Sequence, residues 1–299
     1  MLSNKACDAF LYVAETGSFE KAASQLCITP AAVTLRVQAL EKDLGQVLIL
    51  RERPCRLTNA GEQLFEHLKH VQLKESLLIQ QFQSKRAQQN FYKFHIGINA
   101  DSLATWFFPA IQKLVTEDKI SINLQIDDQS KTHQLLEDGL VNACISASPK
   151  TIKGCQAVEL GAMEYIMVCT PAFQQKWFKQ NIIHREHVRA APAIIFNEKD
   201  YLHGDKIEQL YGLTLRDYPY YFIPSSTAFV DAILHELGFG YVPTLQIQHE
   251  LATGQLVEIM PQARDQIKLY WHHWLQQPAI LEKFAQTLIE YAKLHLIPS

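Results

Sequence analysis

Nothing in the 299-residue chain approaches the roughly 20 consecutive apolar residues that a membrane-spanning helix requires. Residues 1–14 have no basic start, apolar run and small-residue cleavage site in that order, so no secretory leader is read there. No membrane partner and a cytoplasmic location are expected. The chain contains no GxSxG, GxxxxGKS/T, GxGxxG or HExxH, so no motif-borne enzyme class is supported and no cofactor is expected. Cys7, Cys27, Cys55, Cys144, Cys155 and Cys169 lie scattered without CxxC spacing, which excludes a disulfide framework and a cysteine zinc site. Cys144 with Cys155 or Cys169 is a conceivable thiol pair, but free cysteines in apolar sequence are mostly core residues. His272-His273, even joined by His249 or His203, make a poor metal site, because neighbours in a strand point to opposite faces. Internal repeats and low-complexity segments are also missing. The formal net charge of -3 argues against indiscriminate coating of nucleic acid, while leaving room for a local basic footprint.

That footprint is near the N-terminus. Residues 3–15 have the spacing of a helix, with Ala6, Phe10, Val13 and Ala14 inward. Gly17-Ser18 reads as a turn and N-cap, after which Phe19, Ala22, Ala23 and Leu26 recur at helical spacing. Thr29-Pro30 restarts the pattern, with Thr as N-cap and Pro at the first helical position. Val33, Val37, Leu40 and Leu44 then line one face, and Gly45 fits a C-terminal stop. Two short helices joined this tightly make a helix-turn-helix, whose second helix can enter the DNA major groove. The run Val47-Leu48-Ile49-Leu50 leads to Arg51, Arg53 and Arg56 around Pro54, a small hairpin aimed at phosphates. Candidate DNA contacts are Thr29, Pro30, Ala31, Thr34 and Arg36 on the second helix and Arg51, Arg53 and Arg56 on the hairpin. A solute-binding protein with an N-terminal dimerisation module is the alternative, against which the arginine-bearing wing speaks.

Thr58 can cap a long helix to about residue 89, in which Leu64, Val71 and Leu78, and Leu68, Glu75 and Phe82, form a heptad seam. A paired linker helix and a homodimer follow, with residues 88–92 as hinge. Beyond it the period changes to alternation. Strands are expected at 94–98, 120–126, 143–147, 165–170, 193–196, 220–223, 239–242 and 268–274. Helices are expected at 102–115, 130–138, 172–179, 200–210, 226–236 and 278–296. Strands alternating with helices imply parallel sheet. The fold class read from this is α/β with an N-terminal all-α winged helix-turn-helix (1–58), a long linker helix (59–91) and a two-lobed, periplasmic-binding-protein-like effector domain (92–299). Lobe I comprises 92–161 and 268–299, and lobe II 162–267. In open sheets ligands bind beyond the carboxyl ends of strands. That rule selects Asn99-Ala100-Asp101-Ser102, Asp127-Asp128, Ser146-Ala147-Ser148 and Ser225-Ser226-Thr227. Acidic side chains beside helix N-termini suit a small molecule carrying both signs of charge, such as a free amino acid with a cationic side chain.

Ala22-Ala23 with Leu26, Thr29-Pro30-Ala31-Ala32-Val33-Thr34, Leu40-Glu41, Leu44-Gly45, Leu48, Arg51 and Leu57-Thr58 with Gly61 resemble the N-terminal signature of LysR-type transcriptional regulators. The segments 99–106, 225–229 and 269–274 are similar to the branch that regulates lysine and arginine export, so the resemblance covers essentially the whole chain. It implies a DNA-binding regulator acting on promoter DNA, controlled by lysine or arginine, working as a homodimer or tetramer with RNA polymerase as a further partner. It also implies Ser102 and Thr105 for the effector carboxylate, Asp128 for an ammonium group, Ser226 and Thr227 for the opposite wall, and Asp101 and Glu164 as second candidates for the cationic end. Asn99 and Ser146 complete the candidate effector residues. The chain departs from the family pattern at Pro30, where glutamine is common, at Thr34, where serine is usual, and at Pro224 and Gly238-Phe239-Gly240.

Overall fold

A computed structural model describes residues 3–83, 91–127, 132–178, 183–198 and 200–298. The chain divides into two compact units, Met1–Gln89 with Glu137–Val141, and Asn90–Leu136 with Asn142–Ser299.

In the first unit, α1 (Asn4–Thr16), α2 (Phe19–Gln25) and α3 (Pro30–Leu44) surround a small core. Phe10, Val13, Ala22, Val33, Val37 and Leu40 are buried at its centre, each large side chain contributing about 1.5–3 kcal/mol. The caps follow the sequence signals. Ser18 Oγ accepts from the Lys21 amide and Thr29 Oγ1 from the Ala32 amide, with Pro30 in the first turn. Gly45 ends α3 at φ 67°, a left-handed conformation that costs a residue with a Cβ. Leu44 departs from expectation: at the last residue of α3, next to the Gly45 stop, it is exposed. Glu41 Oε1 accepts from the amides of Leu48 (2.9 Å) and Ile49 (3.3 Å), tying α3 to the hairpin β1 (Ile49–Leu50) and β2 (Arg56–Leu57). The hairpin tip is anchored where the Cys55 amide donates to the Gly17 carbonyl. Thr58 caps α4 (Asn59–Gln83) through the Gly61 amide. Of the heptad seam, Leu64 and Leu68 pack against their own unit's core, Val71 and Glu75 are exposed, and the Leu78 and Phe82 side chains lie outside the described residues. Residues 84–90, including most of the expected hinge, also lie outside them.

The second unit holds a seven-stranded mixed sheet, ordered β10-β6-β11-β5-β3-β4 with β9 also on β6. Its strands are β3 (Tyr92–Ile98), β4 (Ile120–Ile126), β5 (Ala143–Ser146), β6 (Cys155–Cys169), β9 (Gly240–Pro243), β10 (Val257–Glu258) and β11 (Asp265–Trp274). Only β3–β4 and β3–β5 are parallel there, so the expectation of a parallel sheet is corrected. The reason is that β6 and β11 are single long strands running through both lobes, paired antiparallel along their length. Their register slips once, between Leu269 and Tyr270, opposite Gly161 at φ 123°. A Cβ on Gly161 would lie 2.9 Å from the Ile297 carbonyl, whose chain bonds back to Ala162. A separate two-stranded sheet joins β7 (Ala193–Ile195) and β8 (Tyr220–Phe222) in parallel.

The expected helix at 102–115 is two: α5 (Ala100–Ala104) and α6 (Phe107–Glu117). Pro109 cannot donate to the preceding turn, so the chain breaks at Thr105 and Trp106 and restarts with Pro109 in the first turn. The remaining helices are α7 (Thr132–Glu137), α8 (Pro171–Trp177), α9 (Arg185–Ala190), α10 (Tyr201–Tyr211), α11 (Ser226–Leu234), α12 (Gln248–Ala252) and α13 (Ala279–His295). The lobe I core centres on Phe94, Trp271 and Phe284, with Phe94 and Phe284 edge-to-face at 4.8 Å. Among the described residues no helix is long and apolar enough to cross a membrane.

Candidate functional site

Two surfaces carry the chemistry, one in each unit. On the first, Arg51, Arg53 and Arg56 project from the hairpin into solvent. The Arg51 guanidinium lies 5.6 Å from the Phe19 ring centroid, a cation–π contact that steadies it, and Arg56 comes within 4.0 Å of Glu52. On α3, Thr29, Pro30 and Ala31 are exposed at the N-terminal end, while Thr34 and Arg36 are half-buried on its flanks. Thr29 is already used as the cap. Leu35 and Gln38, which sequence reasoning passed over, are exposed on the face opposite Val33 and Val37. A helical wheel drawn from the buried positions would have found them.

In the second unit, α5, β4, β6, α10, α11 and the segment 241–246 enclose a cavity of about 320 Å³. Three carboxylates line it, Asp101, Asp127 and Asp200, and among the described residues no lysine, arginine or histidine does. Asp101 is gripped at both oxygens. Tyr165 Oη donates to Oδ2 at 2.7 Å, and Ser226 Oγ, from α11, lies 2.7 Å from Oδ1. Ser226 Oγ is also 2.9 Å from Gln246 Oε1, but its single proton goes to the carboxylate, the stronger acceptor. Gln246 Nε2 in turn donates to the Ser226 carbonyl. Burial and the adjacent Asp101 charge hold the Tyr165 hydroxyl well above its ordinary range. Asp200 Oδ2 accepts from the Phe196 amide at 3.2 Å, yet burial, with Asp101 nearby, leaves its carboxyl above the usual value. Asn99 is buried at the rim of α5, and its Oδ1 has no hydrogen-bond partner among the described residues.

Of the effector candidates, the cleft brings together Asn99, Asp101 and Ser226. Others fall elsewhere. Ser102 is fully buried on the inner face of α5 with its hydroxyl 3.9 Å from Met163 Sδ. Thr105 Oγ1 bonds back to the Asp101 carbonyl at the helix break. Ser146 is buried, its Oγ accepting from the Ser148 amide. Glu164 faces Arg264 at 4.0 Å, since alternation along β6 turns its neighbour Tyr165 to the cleft instead. Thr227 is exposed beside Ser225. Asp128 lies outside the described residues. Sequence reasoning missed Tyr165, Phe196, Asn197, Asp200 and Gln246; Asp200 carried a signal, as a turn residue opening a helix after a strand.

The His272-His273 pair and the three cysteines of the second unit each have a local setting. His272 Nε2 meets the Ser148 carbonyl at 2.8 Å, and His273 Nε2 meets Gln156 at 2.7 Å. Cys144, Cys155 and Cys169 are buried, with burial raising the Cys144 thiol and pushing that of Cys169 up to about 12. Among the described residues no group of three or more metal-binding side chains assembles.

Residues 5–62 match the family of bacterial regulatory helix-turn-helix proteins of the LysR type, and residues 87–293 match the LysR substrate-binding domain. The transcriptional regulator ArgP of Photobacterium profundum is 36% identical over 94% of this chain and 93% of its own length. ArgP of Escherichia fergusonii is 33% identical over 91% of each. Among solved structures, ArgP from Mycobacterium tuberculosis superposes with a TM-score of 0.79 at 28% identity, covering all of both chains. Full-length LysG from Corynebacterium glutamicum with bound effector Arg gives 0.70 at 28% identity, covering 99% of this chain and 100% of its own.

Proposed function

Because the chain belongs to the LysR family of DNA-binding transcriptional regulators, we propose that its second unit senses a basic amino acid, lysine or arginine. The observation that carries this is the cleft's polarity: three carboxylates and an unpartnered buried amide oxygen, with no cation among the described lining residues. Such a wall accepts hydrogen bonds and offers negative charge, which suits an ammonium or guanidinium group. In this reading the α-carboxylate lies towards the backbone amides that open α11, where the helix dipole favours an anion, Ser226 Oγ being already committed to Asp101. The volume falls at the lower end of ligand pockets, about 300–1,000 Å³. The arginine in the LysG structure supports the same ligand class.

In this reading residues 1–58 bind operator DNA, 59–91 link and pair subunits, and 92–299 hold the effector in a homodimer or tetramer. The protein works in the cytoplasm without catalysing a reaction, and an amino-acid exporter gene is its proposed target. The ligand acts on transcription only by as much as its affinity differs between two assemblies of the protein. The test is a thermal-shift titration with arginine, lysine, citrulline and norleucine. A cationic ligand at 100 times Kd adds about 2.7 kcal/mol of stability, whereas the uncharged analogues add nothing. A shift with citrulline equal to that with arginine would sink the proposal.

A further inference from the structure

The buried positions of α3, Val33, Val37 and Leu40, define its inner face. At about 100° per residue, Ala31, Leu35, Gln38 and Lys42 stand opposite it. All four are exposed, and Leu35 is 68% exposed, more than any other large apolar side chain among the described residues of the first unit. Arg36, the arginine of this helix, is on a flank and half-buried. The outer stripe of the second helix therefore holds two apolar groups and one carboxamide, and only its far end carries a charge, Lys42.

The major groove offers one apolar group at base edges, the 5-methyl of thymine, and adenine is the base whose N6 and N7 pair with a carboxamide. A guanine reader on this stripe would need arginine or lysine near the N-terminal end, where such helices touch bases, and Ala31, Leu35 and Gln38 occupy that end. Arg51, Arg53 and Arg56 on the adjoining hairpin are exposed and, in the DNA-binding reading, available for phosphate contacts, so α3 need not spend side chains on the backbone. We infer that Leu35 is a specificity-determining residue that packs against a thymine methyl in the major groove of each half-site. The inference rests on the DNA-binding reading and goes beyond it by naming the base and the atom read.

The experiment uses the full-length protein and duplexes enriched by it from a randomised pool. Each is resynthesised with single thymines replaced by deoxyuridine, which removes the methyl and nothing else. Affinities are read by fluorescence anisotropy for the wild type and Leu35→Ala, a change at an exposed position that the fold accommodates. At one position per half-site, deoxyuridine should weaken wild-type binding about four-fold, the loss for one buried methyl-sized group. Leu35→Ala should bind the thymine and deoxyuridine duplexes alike. Equal wild-type affinity for all the substituted duplexes overturns the inference, as does Leu35→Ala keeping the wild-type preference for thymine. A change of oligomeric state in Leu35→Ala by sedimentation also overturns it, assigning Leu35 to a subunit contact. If the wild type enriches no duplex at all, the DNA-binding reading itself fails, a separate outcome that removes both.

Discussion

On the hairpin of the first unit, Arg51, Arg53 and Arg56 stand in solvent, steadied only lightly by the Phe19 ring and by Glu52. In the second unit the charges of interest have the opposite sign and the opposite surroundings: Asp101 is held at both oxygens and Asp200 is pushed towards its neutral form by burial. Solvated cations on a mobile-length side chain bind a polyanion by counting phosphates, so their contribution fades with salt. Enclosed carboxylates resist screening, and their attraction for a ligand depends on replacing the water that the cleft has excluded. One surface is built for reach and the other for discrimination, and each should fail in its own way.

Asp101→Asn should show the largest effect on ligand binding. It keeps the side chain's shape but removes the charge that Tyr165 and Ser226 orient, and calorimetry should find arginine binding weaker by about 2 kcal/mol or more. A change of less than two-fold would place Asp101 among the solvated charges and erase the contrast. His203 sharpens it next. This residue is fully buried against Tyr218 and Phe239, both ring nitrogens lack partners among the described residues, and burial pushes its pKa down to about 4. Its folded value lies below its unfolded one, so the stability it carries is complete above about pH 6.5 and is lost as pH falls towards 4. His203→Phe should remove about 3 kcal/mol of that acid-dependent loss, read as a narrowing gap between stability measured at pH 7 and at pH 4. The smallest effect is at the hairpin. Arg51→Ala with Arg53→Ala should lower the slope of log affinity against log salt by about two while leaving the arginine-induced thermal shift unchanged. A lost thermal shift would show that the two surfaces are not independent in this respect.

The two units also differ in how far their residues announce themselves. The helix-turn-helix is specified by neighbours in the chain: Ser18, Thr29-Pro30, Gly45 and Thr58 each cap the turn they occupy. The cleft is assembled by strand pairing between distant segments, and a local reading reaches only the loop that contributes its own ends. Asn99, Asp101 and Ser226 were legible because each opens a helix after a strand. Tyr165 was not, because whether it or Glu164 faces the cleft depends on the parity of β6, which β9 and β11 set from 240 onwards. Ser102 and Thr105 were misplaced because the helix break at Thr105 rotates them away from the strand end they follow. The mixed sheet was hidden for a related reason: a strand was expected only at 165–170, with the lobe boundary at Gly161, whereas β6 starts at Cys155 and passes straight through that boundary.

That passage through Gly161 has a mechanical consequence. Two continuous strands, rather than two flexible tethers, join the lobes, and the ladder between them is regular except where Leu269 gives way to Tyr270. Bending a regular ladder stretches every hydrogen bond along it, whereas a register slip concentrates the change at the unpaired Leu160 and its neighbour Gly161. The pair of strands therefore behaves as a stiff spring with a single soft coil. Gly161→Ala, which would set a Cβ 2.8 Å from the Leu296 Cβ and 2.9 Å from the Ile297 carbonyl at φ 123°, should stiffen the spring at that point.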